Sequence, residues 1–307
     1  MNNKDEELEL KRKISLGLYA LVVVGAILTV FLMFAGKIKI PQMALVLLLL
    51  GALFAVASKL KLHVIPQIAN NLIKKVKTNY SFLSYSQNDG IPENRFKEAD
   101  FIKKYTGYQA FNFILGKTKD KDIILSDIVV NNKLRTSQKN ETAILYKGVF
   151  GITDFVTENN IDMIIGPDIQ NKFLNNVSED MKKALGANRK IVRLENSEFE
   201  RYFEVYCEDQ VASRKIITLT FMEKMIEFRK KIKKNITLIY KNNKIYFFVE
   251  NKCIVDSSKL FMKGMTPEAI EETNTFLNLI AEIVNRSNSK INSKSAIYVY
   301  IAFFSVI

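Results

Sequence analysis

Residues 14–34 read ISLGLYALVVVGAILTVFLMF and residues 40–57 read IPQMALVLLLLGALFAVA. The two stretches contain 21 and 18 residues, and neither contains a charged side chain. At a rise of ~1.5 Å per residue, helices of these lengths measure roughly 31 and 27 Å, close to the ~30 Å hydrocarbon core of a bilayer. The sequence therefore predicts two transmembrane helices, joined by the short loop 35–39.

A cleaved signal peptide is the alternative for the first stretch. Its apolar region would span only about 7–15 residues, whereas here the stretch is longer and a second one follows at once, so a retained hairpin is expected. Basic residues are more frequent at the outer ends of the hairpin than in its loop. They are Lys11, Arg12, Lys13, Lys59 and Lys61 at the ends, and Lys37 and Lys39 in the loop. The positive-inside rule then predicts that both termini lie in the cytoplasm.

The chain is basic, with 45 Lys and Arg against 32 Asp and Glu and a formal net charge of +13. A basic domain beside a bilayer is attracted to an anionic leaflet, by about 1 kcal/mol for each Lys or Arg close to the surface. Aromatic residues do not interleave with the basic clusters as they do in nucleic-acid-binding modules. The expected partner is therefore the anionic leaflet and not a nucleic acid.

Histidine and cysteine are scarce: the chain has one histidine, His63, and two cysteines, Cys207 and Cys253. Catalysis by Ser-His-Asp or Cys-His needs a histidine in a folded pocket, and the usual zinc sites need several His and Cys ligands. No phosphate-binding glycine motif of the P-loop or Rossmann type occurs either. We expect no metal and no cofactor, and only carboxylate, lysine or tyrosine chemistry remains available.

Changes in composition divide the chain into five parts. They are a cytoplasmic tail (1–13), a transmembrane hairpin (14–57), a basic amphipathic linker (58–85), an α+β soluble domain (86–292) and an apolar C-terminal tail (293–307). Pro66 is expected to interrupt the linker helix. Lys74, Lys75 and Lys77 are the candidates for contact with the membrane surface, although a domain helix with a solvated face fits equally well. Residues 296–307 are expected to form a terminal strand, with a membrane-dipping end or a disordered extension as alternatives.

Residues beyond the linker mix the periodicities of strands and helices. Strands are predicted at 110–115, 123–130, 143–155, 161–165 and 191–194, and helices at 94–105, from 220 and from 267. A hairpin is predicted at 236–248, with asparagines of its turn at positive φ. Because the elements do not alternate in a βαβ rhythm, the fold class expected is α+β.

Residues 190–232 read KIVRLENSEFERYFEVYCEDQVASRKIITLTFMEKMIEFRKKI. This stretch resembles the core of the bacterial family called domain of unknown function 3137 (DUF3137), and the similarity extends over roughly residues 101–286. The resemblance implies a protein of the bacterial inner membrane with paired N-terminal spans. It implies no established activity, and it suggests a membrane protein of the LemA family as a partner.

One polar cluster within this stretch is a candidate binding site. Asp209, Gln210 and Arg214 lie within six positions of one another, and an arginine can hold a carboxylate or phosphate through two parallel hydrogen bonds. The alternative is a turn between a strand and a helix, in which the acid caps the helix and the arginine has a structural partner.

Three functions remain after these exclusions. The leading expectation is a non-enzymatic, membrane-tethered module that binds a protein partner or acts as a scaffold. A lipid or small-ligand sensor is the alternative, and an apolar cavity that faces the bilayer would favour it. A hydrolase or transferase that uses carboxylates, Asp209 and Asp168 among them, is the second alternative.

Overall fold

The computed structural model describes residues 3–76, 80–118, 121–136, 139–155, 161–167 and 190–287. Its helices are α1 (Asn3–Phe34), α2 (Ile40–Lys75), α3 (Glu93–Glu98), α4 (Ser197–Tyr202), α5 (Gln210–Ile216), α6 (Leu219–Ile232), α7 (Ser257–Lys263) and α8 (Pro267–Arg286). Its strands are β1 (Phe82–Ser86), β2 (Gly107–Lys117), β3 (Asp122–Thr136), β4 (Lys139–Asp154), β5 (Met163–Pro167), β6 (Lys190–Val192), β7 (Phe203–Cys207), β8 (Ile236–Lys241) and β9 (Lys244–Glu250). The predicted terminal strand at 296–307 lies outside the described residues.

The chain forms two compact units. The first consists of Met1–Lys77 and Val255–Asn274, and the second of Thr78–Ile254 and Thr275–Ile307. Helix α8 begins in the first unit and ends in the second, so the chain enters the first unit twice.

Helices α1 and α2 of the first unit pair as an antiparallel hairpin. Ser15 Oγ donates a hydrogen bond of 2.9 Å to the carbonyl oxygen of Ala57. The apolar side chains along the hairpin are largely exposed, and only 6% of the residues in the most apolar window of each helix are buried. A core helix of a soluble protein would bury such residues. Both helices are thus long and apolar enough to cross a membrane.

Helix α2 continues through Pro66, where the sequence predicts an interruption. Proline lacks the N–H that would bond to the carbonyl four residues earlier, which normally costs about 3 kcal/mol in a helix interior. Buried Val64, Ile65 and Ile68 lie on both sides of Pro66 and hold this part of the helix by packing. The segment predicted as a linker, 58–85, therefore contains the last part of helix α2, up to Lys75, and the start of strand β1, from Phe82.

The second unit is built on an antiparallel sheet. Its nine described strands follow the order β1-β2-β3-β4-β9-β8-β5-β7-β6. Every described pairing is antiparallel. The prediction of an α+β fold is confirmed.

Aromatic side chains fill the core on one face of this sheet. Phe248 stacks on Phe101 and on Phe150, with ring centroids 4.1 and 4.9 Å apart. Phe96 of α3 packs edge-on against Phe150 at 5.6 Å. Stacked and edge-to-face pairs of buried rings add roughly 0.5–1.5 kcal/mol each beyond the area that they bury. This cluster holds α3 against the sheet.

Local signals predicted several element ends correctly. Asn242 and Asn243 both have positive φ, 52° and 56°, in the two-residue turn of the β8–β9 hairpin. Thr266 Oγ1 accepts a hydrogen bond of 3.2 Å from the Ala269 N–H at the start of α8. Helix α6, in contrast, begins earlier than the sequence predicts, because its N-cap is Thr218 and not Thr220. The predicted helix 94–105 is shorter, because α3 ends at Glu98.

Candidate functional site

The polar cluster predicted from the sequence, Asp209, Gln210 and Arg214, lies at the start of helix α5 and within it. Asp209 is its N-cap, and its Oδ1 accepts hydrogen bonds of 3.0 and 2.9 Å from the N–H groups of Val211 and Ala212. Arg214 donates a bond of 3.2 Å to the carbonyl oxygen of Arg193. Asp209, Gln210 and Arg214 are all exposed. Asp209 and Arg214 thus have structural partners, and ligand binding by this cluster stays a prediction.

The lysines predicted to meet the membrane surface differ from one another in their surroundings. Lys74 is exposed at the end of α2. Lys75 Nζ lies 2.6 Å from a carboxylate oxygen of Asp5, so it forms an ion pair within the first unit. Lys77 lies outside the described residues.

A buried arginine joins helices α1 and α7 of the first unit. The Arg12 side chain is only 5% exposed, and its Nη1 donates to the carbonyl oxygens of Phe261 and Met262 at 2.6 and 3.1 Å. These carbonyls belong to the last turn of α7, where no intrahelical N–H is available to them. Glu9 accepts two hydrogen bonds from the same guanidinium, so the buried charge is paired. Residues 249 and 250 positions apart in the chain are thereby fixed together.

Aromatic side chains also contact one another where helix α7 meets α1 and α2. Tyr19 packs edge-on against Phe54 and Phe261, with centroid separations of 5.5 and 5.7 Å. The ammonium of Lys61 lies 4.7 Å from the centroid of the Phe261 ring, a favourable cation–π distance. Helix α7 is therefore held against both helices of the hairpin.

A pocket with a cavity volume of about 280 Å³ opens within the first unit. Its polar lining consists of Asp5, Glu9, Lys13, Asn71 and Lys263. Side chains of both signs thus converge on one concave space, beside the apolar residues that complete its lining.

The lining comes from three parts of the chain. Leu8 of α1, Ile68 of α2 and Met265 after α7 supply its apolar surface. Lys13 and Lys263 are exposed. The sequence gives no sign of this pocket, because nothing local links residues 5–13 to residues 263–265.

A second polar cluster is buried in the second unit. Asp127 is 2% exposed and accepts hydrogen bonds from Asn112 Nδ2 at 2.6 Å and from the Ile254 N–H at 2.8 Å. Asn112 has a φ of 55° in a bulge of β2, and its Oδ1 accepts a bond of 2.7 Å from the Tyr85 hydroxyl. Burial, together with the nearby Asp127 carboxylate, raises the pKa of Tyr85. Tyr85 therefore stays protonated as a donor, and the cluster orders the backbone at Ile254.

The one histidine of the chain lies on helix α2 and does not line the pocket. His63 is exposed on α2 and lies 3.0 Å from the Gln67 side chain. In the part of the chain that the structure describes, no group of three or more His, Cys, Asp and Glu side chains is arranged to hold a metal ion. Asp168, named in the carboxylate hypothesis, lies outside the described residues.

The fold and the hairpin define a class of protein in which two apolar helices precede an antiparallel α+β domain. Within this chain, residues 144–288 match the model of the family described as protein of unknown function DUF3137. The resemblance to that family is thereby confirmed over these residues. The match includes α5 and α7 and begins after the earlier segments, 101–143, for which the resemblance stays a prediction. No curated protein and no solved structure matches the chain.

Proposed function

We propose that this protein is a non-enzymatic binding or scaffolding module, anchored at the cytoplasmic face of the bacterial inner membrane with both termini in the cytoplasm. The exposed apolar hairpin supports the membrane anchor. The excess of basic residues at the outer ends of the hairpin supports the orientation.

The observation that carries this proposal is the attachment of α7 to the hairpin. Helix α7 lies inside the family match, and Arg12 of α1 binds its terminal carbonyls. Removing the partners of this buried arginine would leave its charge uncompensated, a change that costs about 3–5 kcal/mol in comparable buried pairs. The family region thus contributes a helix to the base of the anchor itself, which favours a role at the membrane.

Exposed apolar residues on helices α5 and α6 support a protein partner. Val211 is 67% exposed and Leu219 is 59% exposed, and they lie at the beginning of consecutive helices near Arg214. Protein interfaces typically combine an apolar centre with arginine at or near it. A membrane protein of the LemA family is the partner that we propose for this α5–α6 surface, formed by Val211, Arg214 and Leu219.

Copurification tests the proposed partner. The tagged full-length chain is expressed with the LemA-family protein of the same genome, extracted in a mild detergent and purified through its tag. We expect a stoichiometric complex that Val211→Glu with Leu219→Glu abolishes, since two carboxylates would be desolvated in the interface. Ile144→Glu is the matched control, because Ile144 is an equally exposed apolar residue (62%) on β4. Equal recovery of the partner by all three proteins would contradict the assignment of this surface.

The pocket of the first unit is not the apolar cavity that would favour a lipid sensor, and its charged lining supports the small-ligand form of the alternative, a lipid or small-ligand sensor. It has polar side chains of both signs and lies beside the junction of α1 with α7. Ligand binding and partner binding are compatible in one protein, and each has its own experiment.

A further inference from the structure

We propose that the pocket of the first unit binds a phosphate group, carried either by a phospholipid headgroup or by a small soluble phosphate ester. The lipid source rests on the membrane anchor of the proposed function. The soluble source does not.

The acidic side chains of the pocket are already neutralised. Asp5 accepts a hydrogen bond of 2.9 Å from Asn71 Nδ2 and forms an ion pair of 2.6 Å with Lys75. Glu9 is held by the guanidinium of Arg12 through two hydrogen bonds. Each carboxylate thus has a basic partner of its own.

The two lysines of the pocket interact with carboxylates only at longer range, Lys13 with Glu9 and Lys263 with Glu268. Among the residues that the structure describes, neither Lys13 nor Lys263 forms an ion pair with a carboxylate within 4 Å. The charged lining is balanced in itself, and it has an excess of two positive charges once Arg12 and Lys75, the partners of its two carboxylates, are counted. The exposed ammonium groups of Lys13 and Lys263 are therefore available to attract an anion. Lysine is a common ligand of phosphate, and a phosphate with several anionic oxygens can meet both ammonium groups at once.

The position of the pocket along α1 suits a headgroup. Lys13 directly precedes the apolar stretch that begins at Ile14, and Leu8 lies six residues before that stretch, or roughly 9 Å along a helix. The polar layer on each side of a bilayer is about 5–7 Å thick. Lys13 would lie within this layer and the rest of the lining on its cytoplasmic side, since Ile68 follows the apolar stretch of α2 by 11 residues, or roughly 17 Å along a helix. A lipid phosphate would therefore reach the pocket at Lys13, and a soluble phosphate ester would reach it from the cytoplasm.

Titration calorimetry on the full-length chain in detergent tests this proposal. One set of titrations uses short-chain phosphatidylglycerol, and a second uses glycerol phosphate, which presents a phosphate without acyl chains. We expect saturable binding of one molecule for each chain. Lys13→Gln with Lys263→Gln should weaken it about 30-fold, from roughly fivefold for each lysine removed near an anionic headgroup.

Lys37→Gln with Lys39→Gln is the matched control. It removes the same charge from the other end of the hairpin, at a similar distance from the apolar stretches, and both lysines are exposed. Binding of the lipid alone, lost in the pocket variant and kept in the control, would assign the site to a headgroup. Binding of glycerol phosphate with the same dependence would assign it to a soluble phosphate. Equal affinities of the two variants, or no saturable binding of either probe, would overturn the proposal.

These outcomes are separate from the test of the proposed function. Lys13 and Lys263 are not part of the α5–α6 surface, so the pocket variant should still copurify with the LemA-family protein. A chain that keeps its partner and binds neither probe refutes the phosphate site alone. A chain that binds a probe and captures no partner refutes the partner alone.

Discussion

Single residues of the second unit are constrained by close backbone contact and by buried hydrogen bonds. Gly148 of β4 lies against the backbone of β9, and a β-carbon at this position would overlap the carbonyl oxygen of Val249. Asp127 provides the acceptors for two donors that lie in distant segments. At both positions the residue type is required by tertiary contacts and not by local secondary-structure propensity.

Gly148→Ala is expected to destabilise the protein by about 3 kcal/mol. The added methyl group meets a backbone atom, which can move only if the β4–β9 pairing shifts, and overpacking of this kind costs about 1–3 kcal/mol or more. The midpoint of thermal unfolding in detergent measures the effect. Gly17→Ala is the control, because a β-carbon at Gly17 has no heavy atom within 4 Å. Equal midpoints for the two variants would contradict the close approach.

Asp127→Asn is expected to lower the free energy of unfolding by about 1–3 kcal/mol. The carboxylate accepts from Asn112 Nδ2 and from the Ile254 N–H, whereas an amide must point its own N–H groups at one of these donors. Chemical denaturation of the full-length chain measures the change, and hydrogen exchange at Ile254 should become faster.

Asp122→Asn on the same strand is the control for this substitution. Burial raises the pKa of Asp122, which indicates that its charged form gains little from the fold. Asp122→Asn should therefore be neutral or slightly stabilising. A loss of stability as large as that of Asp127→Asn would show that any lost carboxylate on β3 has this effect.

Helices α6 and α8 are joined by a ring contact and an ion-pair network. Phe228 and Phe276 have ring centroids 6.2 Å apart. Lys224 of α6 bridges Glu227 on its own helix at 2.7 Å and Glu282 of α8 at 2.6 Å. Hydrogen bonds to Glu227 and Glu282 raise the pKa of Lys224, and bonds from Lys224 and Lys231 lower the pKa of Glu227 below its ordinary value of 4.5.

The stability that this network contributes should depend on pH. A lowered carboxyl pKa stabilises the folded state above the unfolded value of 4.5, and the contribution disappears as the pH falls through the folded value. Lys224→Gln should therefore lower the unfolding free energy by about 1 kcal/mol at pH 7 and by progressively less as the pH falls below 4.5. Thermal unfolding of the full-length chain between pH 3 and 8 measures this difference.

Lys231→Gln is the control for Lys224→Gln, because Lys231 pairs with Glu227 within α6 and does not reach α8 in any described contact. It should cost less than Lys224→Gln at pH 7. Equal costs would show that the bridge from α6 to α8 adds nothing to the stability.

For the whole molecule, the proposed topology has a short external loop and two cytoplasmic termini. Lys37→Cys should be labelled in intact cells by a maleimide that cannot cross the inner membrane, whereas Lys4→Cys should be labelled only after permeabilisation. Background is expected to be small, because Cys207 is buried and Cys253 is partly buried. Labelling of Lys4→Cys alone in intact cells would reverse the orientation, and labelling of both would exclude a spanning hairpin.

Local signals in the sequence determined the apolar hairpin, the α+β class and several element ends. A run of uncharged residues long enough for a bilayer needs no tertiary information, and neither does an asparagine turn or a threonine cap with proline after it. Glycines within a predicted strand, here Gly148 and Gly151, indicate a bulge or a close approach, and the structure decides for close approach to the β9 backbone at Gly148.

Only the tertiary structure decided the strand order, the Asp127 cluster, and the joining of α7 to the hairpin. Strand β4 pairs with β9, roughly 100 positions away, and Arg12 binds carbonyls 249 and 250 positions away. Such pairings depend on which buried surfaces and unpaired backbone groups fit together, and no periodicity along the chain records that fit. The same reason explains why the sequence does not reveal the pocket of the first unit, since Lys13 and Lys263 line one space only after residues 255–274 pack against residues 1–77.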